Sequence, residues 1–520
     1  MASITHHRNK KTGAVYVYSV ESYWDKEKKA PRNKQVCLGR LDPETGEVIP
    51  SKRRKKVIER AVSVPGVSVT SRVAGPFLLL EELTRKHGIQ KMLKKCFPED
   101  HEFILSLVYF IVHKGDALSR AESWSKSCLH PLGDSIASQR ISELLVRLSE
   151  DNRQRFLSLW LEHVQEDDWL CYDITSVSSY SLRNEYTQFG YNRDGESLEQ
   201  INLAMLFGQK SRLPAHYRRL PGNISDVSTL KTTTKSLNYL GAGGLHFVLD
   251  RGFYSVTNID ELFARRHKFT IALPTGRKWI REILDKHCDT ISSPTHYIVT
   301  GEDEALYAAT EFYRWGKKSH RSWLHIFYNA ECAANDFDRF TRQLINCRDE
   351  LLSGKPAEDI DKNLRHHLII KVTPKRGLRV EFNEEEIQNT RKKYCGFFCI
   401  LSNKIKTADE ALCVYRDKDV VENCFDDLKN HMDMKRLRVH TAPAMDGRLF
   451  LQFLALIYVS SIRTEIQKDE KLKYFTVRKV MEEMETLVKV KYSNRYGQVF
   501  TETTRIHRRI MDLFGIELPS

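Results

Sequence analysis

Two short apolar runs, each stopped by a single aspartate, constrain this chain most. Trp169-Leu-Cys-Tyr leads into Asp173, and His246-Phe-Val-Leu leads into Asp250. Apolar runs of that length read as buried strands. An acid that ends such a strand is held rigidly at the rim of a sheet. Gly252, two residues after Asp250, predicts a sharp exit from the second strand. Residues Val256 to Arg266 then read as a helix, and Phe269-Thr-Ile-Ala-Leu-Pro274 as a further strand.

A third acid sits in a different pattern. Residues 415–429 read Tyr415-x2-Lys418-x3-Glu422-x6-Lys429. At 3.6 residues per turn these four side chains share one stripe of a helix. The neighbouring stripe carries Val421, Phe425 and Leu428, which predicts a core-facing side. One carboxylate beside two ammonium groups and a phenol suits phosphodiester chemistry. Two strand-borne aspartates and a helix-borne glutamate can gather one or two divalent cations. Two such ions stabilise the attacking and the leaving oxygen of an in-line displacement.

With these motifs the chain resembles the DDE transposases of bacterial insertion sequences, in the branch that carries a Tyr-x2-Arg-x3-Glu-x6-Lys signature. Lys418 stands where that signature has arginine, which keeps the charge and loses the planar two-pronged donor. Asp250-Arg-Gly-Phe-Tyr254 is similar to the family's second-acid motif. Further resemblance lies in Gly190-Tyr-Asn-Arg-Asp194, Arg212-Leu-Pro214, Pro221-Gly-Asn-Ile-Ser-Asp226, Arg436-Leu-Arg-Val-His440 and the apolar helix at 448–463. It covers roughly residues 165–465. The resemblance implies an α/β fold: an RNase H-like mixed sheet flanked by helices and interrupted by a large insertion. It also implies strand cleavage and strand transfer, with Asp173, Asp250 and Glu422 as catalytic and metal-binding residues. The cofactor would be Mg²⁺ or Mn²⁺, as two ions. The partner would be double-stranded DNA, both transposon ends and target, and the chain would act as a homodimer because two ends must be cut in one assembly. Its place would be a bacterial cytoplasm, at the nucleoid when bound to DNA.

Bulk properties are compatible with this. The chain has 520 residues, a net charge of +14, and 41% hydrophobic residues. That charge favours a polyanion without choosing among DNA, RNA and an anionic membrane. No run approaches 18 consecutive apolar residues, so a membrane span is not expected. Eleven scattered cysteines suit a reducing compartment. Cys395-x3-Cys399 lacks a second pair at ligand spacing and does not read as a zinc site. Gly316-Lys-Lys-Ser319 lacks the glycine a phosphate loop needs, so ATP is not expected.

The expected organisation is a β-meander with a basic run over 1–62, a helical DNA-binding or dimerisation region over 76–165, and a core over 166–274. An insertion follows over 275–394. The core resumes with the Glu helix over 395–465, and a small appendage closes the chain over 466–520. The basic run Ser51-Lys-Arg-Arg-Lys-Lys56 reads as a solvated linker or a phosphate contact. The stretch 136–164 reads as one long helical region. It is open between a helix-turn-helix and plain core or dimer packing.

Tyr415, Lys418 and Lys429 are expected to touch phosphates beside the cleavage point. Arg251 adjoins Asp250 and could orient it or the DNA. Trp315, among Tyr313-Arg314 and Lys317-Lys318, is the candidate for stacking on an unpaired base, with Trp279 and Trp323 as rivals. Two other functions stay open: an RNase H-like nuclease of repair or recombination with no joining step, and a domesticated DNA-binding protein. The presence of all three acids argues against the latter.

Overall fold

Alternating polar and apolar side chains build the first sheet. Strands β1 (Ala2–Arg8), β2 (Val15–Asp25), β3 (Ala30–Leu41) and β4 (Val48–Pro50) pair antiparallel in chain order. This is the expected meander, with Val17 and Val20 buried. The structure, a computed structural model, describes residues 2–25, 30–50, 69–164, 169–180, 186–239, 244–300, 305–373, 377–492 and 497–517. The basic run at 51–56 and residues 63–68 of the expected linker lie outside them. The chain forms two compact units, 1–71 with 490–499 and 72–489 with 500–520.

After β5 (Val69–Val73) come helices α1 (Gly75–Lys86), α2 (Ile89–Cys96), α3 (His101–Lys114), α4 (Ala121–Ser127), α5 (Ser138–Arg147) and α6 (Glu150–Val164). The single helical stretch expected over 136–164 is two helices. Ser149 interrupts it: its side chain accepts from the Asn152 N–H, and Glu150 and Asp151 occupy the first turn of α6. That is a helix-start signal, present in the sequence but overridden by the apolar period.

The central sheet follows. Its strands are β6 (Trp169–Ser179), β7 (Gln200–Gly208) and β8 (Pro214–Pro221), then α7 (Asp226–Tyr239), β9 (His246–Leu249), α8 (Val256–Ala264) and β10 (Lys268–Leu273). β6, β7 and β8 pair antiparallel, while β9 runs parallel to β6 and β10 parallel to β9. The order β8-β7-β6-β9-β10 is the RNase H-like arrangement: a hairpin pair on one side of the first strand and parallel strands on the other.

The same sheet continues through the inserted segment. That segment holds α9 (Lys278–His287), β11 (Tyr297–Val299), β12 (Ala305–Trp315), β13 (His320–Tyr328), α10 (Ala330–Leu352), α11 (Lys362–Arg365), β14 (Leu368–Thr373), β15 (Gly377–Phe382) and α12 (Glu384–Tyr394). β16 (Phe397–Ser402) lies between β10 and β13, and β12 and β11 lie beyond β13. Burial explains why. Phe327, Cys399, Ile400 and Leu401 are sealed from solvent, and a flanking strand on each side satisfies their backbone groups.

The closing elements are α13 (Ala408–Arg416), α14 (Asp419–Asp426), β17 (Arg436–Leu437), α15 (Ala442–Ile466), α16 (Val477–Glu485), β18 (Val488–Tyr492), β19 (Gln498–Phe500) and α17 (Arg505–Phe514). α15 is long and apolar enough to cross a bilayer, with a window of mean hydropathy 1.4. Here 83% of that window is buried in the protein, against α3, α5 and β8. Fully burying each Leu, Ile or Phe on it contributes about 1.5–3 kcal/mol, which makes α15 the spine of the larger unit.

Candidate active site

β6 and β9 place the first two acids. Tyr172 stands opposite Leu249 in their parallel register. One residue further on are Asp173 and Asp250, turned to the other face of the sheet by side-chain alternation. Asp250 keeps an extended backbone (φ −76°, ψ 164°) before a 3₁₀ turn over Arg251–Phe253. Adjacent strands lie about 4.8 Å apart, so the two acids are neighbours across the sheet.

Asp173 does not end its strand, as the apolar run suggested. β6 continues to Ser179, because Ile174 to Ser178 go on pairing with β7. What ends at Asp173 is the partner on the other side. β9 stops at Leu249, and β17 takes up the β6 edge only at Ser178. Asp173 therefore sits at the lip of a notch in the sheet. Burial pushes its carboxyl up to about 6; the Ile174 N–H and the charges of Arg193 and Lys418 pull the other way.

α14 places the third acid. Val421, Cys424 and Phe425 are its buried side. The Cys424 thiol lies 3.2 Å from the sulfur of Met205, and Met205 is the register partner of Asp173 on β7. The helix thus packs on the face that carries Asp173. Glu422 stays on the exposed side of α14, and the Lys418 ammonium donates to it at 2.9 Å.

Residues 415–429 are not one helix. α13 ends at Arg416, and the Val420 and Val421 amides reach back only three residues, to Asp417 and Lys418. Residues Asp427–His431 then form a π-turn, closed by the Met432 amide on the Asp427 carbonyl at 3.0 Å. The tight turn and the wide turn rotate the expected stripe in opposite senses. Tertiary contacts hold both. Arg212 donates to Asp417 at 2.8 Å. Arg463 on α15 pairs with buried Asp427, whose carboxyl burial pushes up to about 6. His431 docks where Gly115 caps α3; a Cβ on Gly115 would stand 1.9 Å from the His431 carbonyl oxygen.

The consequences differ for each residue. Tyr415 turns to Asp250, and its hydroxyl donates to Oδ1 at 2.7 Å. Burial and the Asp250 charge raise the phenol well above its usual range, so it stays protonated and keeps donating. Lys418 is half-buried. Burial opposes its charge, but Glu422, Asp250 and Asp173 together raise its pKa. Lys429 points away from the acids and grips both oxygens of Asp194 at 2.7 Å. Arg251 is exposed beside Asp250.

Trp315 does not offer a stacking surface. It is 4% exposed, and its indole N–H donates to Asp260 at 2.8 Å. Its neighbours Trp279 and Tyr313 pack with it. An aromatic among lysines read as surface, but strand alternation on β12 turned it inward.

The sequence motifs at 190–194 and 221–226 meet at this end of the sheet. Gly190 and Gly222 touch backbone to backbone; a Cβ on Gly190 would lie 2.0 Å from the Gly222 carbonyl oxygen. This seats the loop that carries Arg193, whose charge reaches Asp173. Arg193 was legible only as part of a quoted motif, since nothing in its spacing links it to Asp173.

Three carboxylates are hard oxygen donors of the kind Mg²⁺ and Mn²⁺ take. Asp173 and Asp250 are together. The Glu422 carboxylate is not with them; it is drawn to Lys418, whose charge interacts with all three acids. Among the described residues, no three Asp, Glu, His or Cys side chains are gathered closely enough to hold an ion as they stand.

Residues 165–458 match the family described as Transposase DDE domain. The match covers more than half of the chain, and the protein belongs to that family. Among solved structures, a piggyBac transposase in a cryo-EM synaptic complex with hairpin DNA is similar at 12% identity, over 78% of this chain and 70% of that one, with a TM-score of 0.32. Among curated proteins, none matched.

The Tyr415–Asp250 hydrogen bond yields a direct test. Tyr415→Phe removes the donor and leaves the ring. Outer partners of metal-binding groups are worth about 10–100-fold in affinity or activity. The expected result is a loss of that size in strand cleavage, with most of it recovered at raised Mn²⁺.

Proposed function

We propose that this transposase binds the terminal inverted repeats of an insertion sequence, cuts them, and joins the freed 3′ ends to target DNA. The observation that carries this reading is the register of β6 and β9. It sets Asp173 beside Asp250 on the face against which the Glu422 helix packs.

Asp173, Asp250 and Glu422 would hold Mg²⁺ or Mn²⁺. Bound there, such ions activate the attacking water or 3′ hydroxyl and neutralise charge on the leaving oxygen. The chain's own residues do the rest. The Tyr415 hydroxyl fixes one oxygen of Asp250. Lys418 balances the acids, and once Glu422 turns to the aspartates its ammonium is free for a phosphate oxygen. Arg251, next to Asp250 in the chain, and Arg193, whose charge reaches Asp173, add positive charge for a passing strand. Lys429 acts at a distance, by holding the 190–194 loop through Asp194. The partner is duplex DNA, and pairing two ends calls for a homodimer. No step asks for ATP.

The nearest rival is a nuclease with the same acids and no joining step. The two separate when the full chain receives a pre-cut end with a free 3′ hydroxyl, a supercoiled plasmid and Mg²⁺. Transposition predicts covalent end–plasmid products that vanish in Asp250→Ala. Nicked plasmid without joined ends would overturn the proposal in favour of the nuclease.

A further inference from the structure

The opposite rim of the central sheet, at the ends of β10, β13 and β16, carries a basic cleft. It has a volume of about 490 Å³ and is lined by Arg266, Lys268, Arg321, Lys406 and Trp323 among others. The four cations come from four places: the α8–β10 turn, the start of β10, β13, and the segment between β16 and α13. All four are exposed. Among the described residues none of them forms an ion pair, unlike neighbouring Arg265, which pairs with Glu261. Lys406 sits over the face of half-buried Trp323 at 5.9 Å. Four like charges on one rim repel one another, so this arrangement costs stability unless an anion meets it.

The cleft is built on fixed backbone. Asn403 accepts from the Phe269 N–H and donates to the His267 carbonyl, each at 2.9 Å, which clamps the turn that presents Arg266 and Lys268. His267 lies fully buried at the floor, and among the described residues neither ring nitrogen has a hydrogen-bond partner.

Its position separates it from the acids. Lys268 is in register with His246, the first residue of β9, and Asp250, still extended, follows the strand's last residue, four positions from His246. At about 3.3 Å per residue the two ends are roughly 13 Å apart, on opposite rims. A phosphate at one rim is therefore not the phosphate at the other. Four cations around one cleft carry more charge than a single phosphate can neutralise, and so match a repeating polyanion better.

We propose that this rim holds the sugar–phosphate backbone of duplex DNA, at phosphates other than the one being cut. The proposal rests on the DNA-handling function above, but it is read by binding and not by cleavage.

The experiment uses the full chain and a long random-sequence duplex, with affinity measured across a salt series. The variant is Arg266→Ala/Arg321→Ala/Lys406→Ala, with the triple Arg/Lys swap as a charge-preserving control. Each lost phosphate contact lowers the slope of log K against log salt by about 0.9. The expected result is a slope smaller by about 2–3, affinity down about tenfold or more at physiological salt, an unchanged melting temperature, and recovery in the swap. An unchanged slope and affinity would overturn the proposal. So would saturable binding of inorganic phosphate that the triple variant loses while its duplex binding stays intact, which would make the cleft a small-anion site. Asp250→Ala, assayed alongside, keeps the full slope if the rim acts independently. Failure of cleavage and failure of the rim are thus told apart.

Discussion

Asp250→Ala is expected to abolish strand cleavage while the protein still binds transposon ends. A loss on the order of 10³-fold or more corresponds to about 4 kcal/mol of transition-state stabilisation, which is what a ligand to a charge-neutralising cation supplies. Fold stability has little to lose. Asp250 is only partly buried, follows the last residue of β9, and accepts a side-chain hydrogen bond from Tyr415. The measurement is single-turnover cleavage of an end duplex in Mg²⁺, beside a gel-shift titration of the same duplex. Cleavage within tenfold of wild type would reject Asp250 as a member of the site.

Asp173→Asn is expected to remove activity and raise stability at the same time. Burial lifts the Asp173 carboxyl from 3.8 to about 6. A raised carboxyl pKa means the folded state holds its proton more tightly than the unfolded chain. The stabilising contribution is then present below the unfolded pKa and lost as pH rises through about 6. At pH 7–8 without divalent cation, wild type carries a buried charge that asparagine lacks. The shift corresponds to an upper limit of about 3 kcal/mol; with partial solvent access, about 1–2 kcal/mol is expected. The measurement is thermal melting in EDTA. The variant should melt a few degrees higher at pH 8, and the gap should close as pH falls to about 4. A variant that melts below wild type at pH 8 would show that Asp173 is held by partners that stabilise its charge. A destabilising charge kept in a notch is the usual mark of a site that trades stability for function.

The acids could be found in the sequence because their chemistry needs unusual company. Asp173 and Asp250 each interrupt an apolar run, and Glu422 rides on a helix whose other side, with Val421 and Phe425, is buried. The helix from Val256 is also legible, and in the fold Ser255 caps it. Other features were not. Trp315 has the neighbours of a surface residue, and only the pairing of β12 with β13 turns it inward. The continuous stripe through Tyr415, Lys418, Glu422 and Lys429 assumed an uninterrupted helix, and no proline or glycine warned otherwise.

Local sequence was enough to choose strands, helices and the residue types of the site, because burial periodicity and capping act over a few positions. Register and helix continuity needed the whole fold. Asp173 meets Asp250 because β6 and β9 align at Tyr172 and Leu249. Lys429 meets Asp194 and not the acids because Arg212, Arg463 and α3 bend the chain around Glu422 from far along the sequence. Those contacts join residues from 36 to more than 300 positions apart, and no local pattern encodes them.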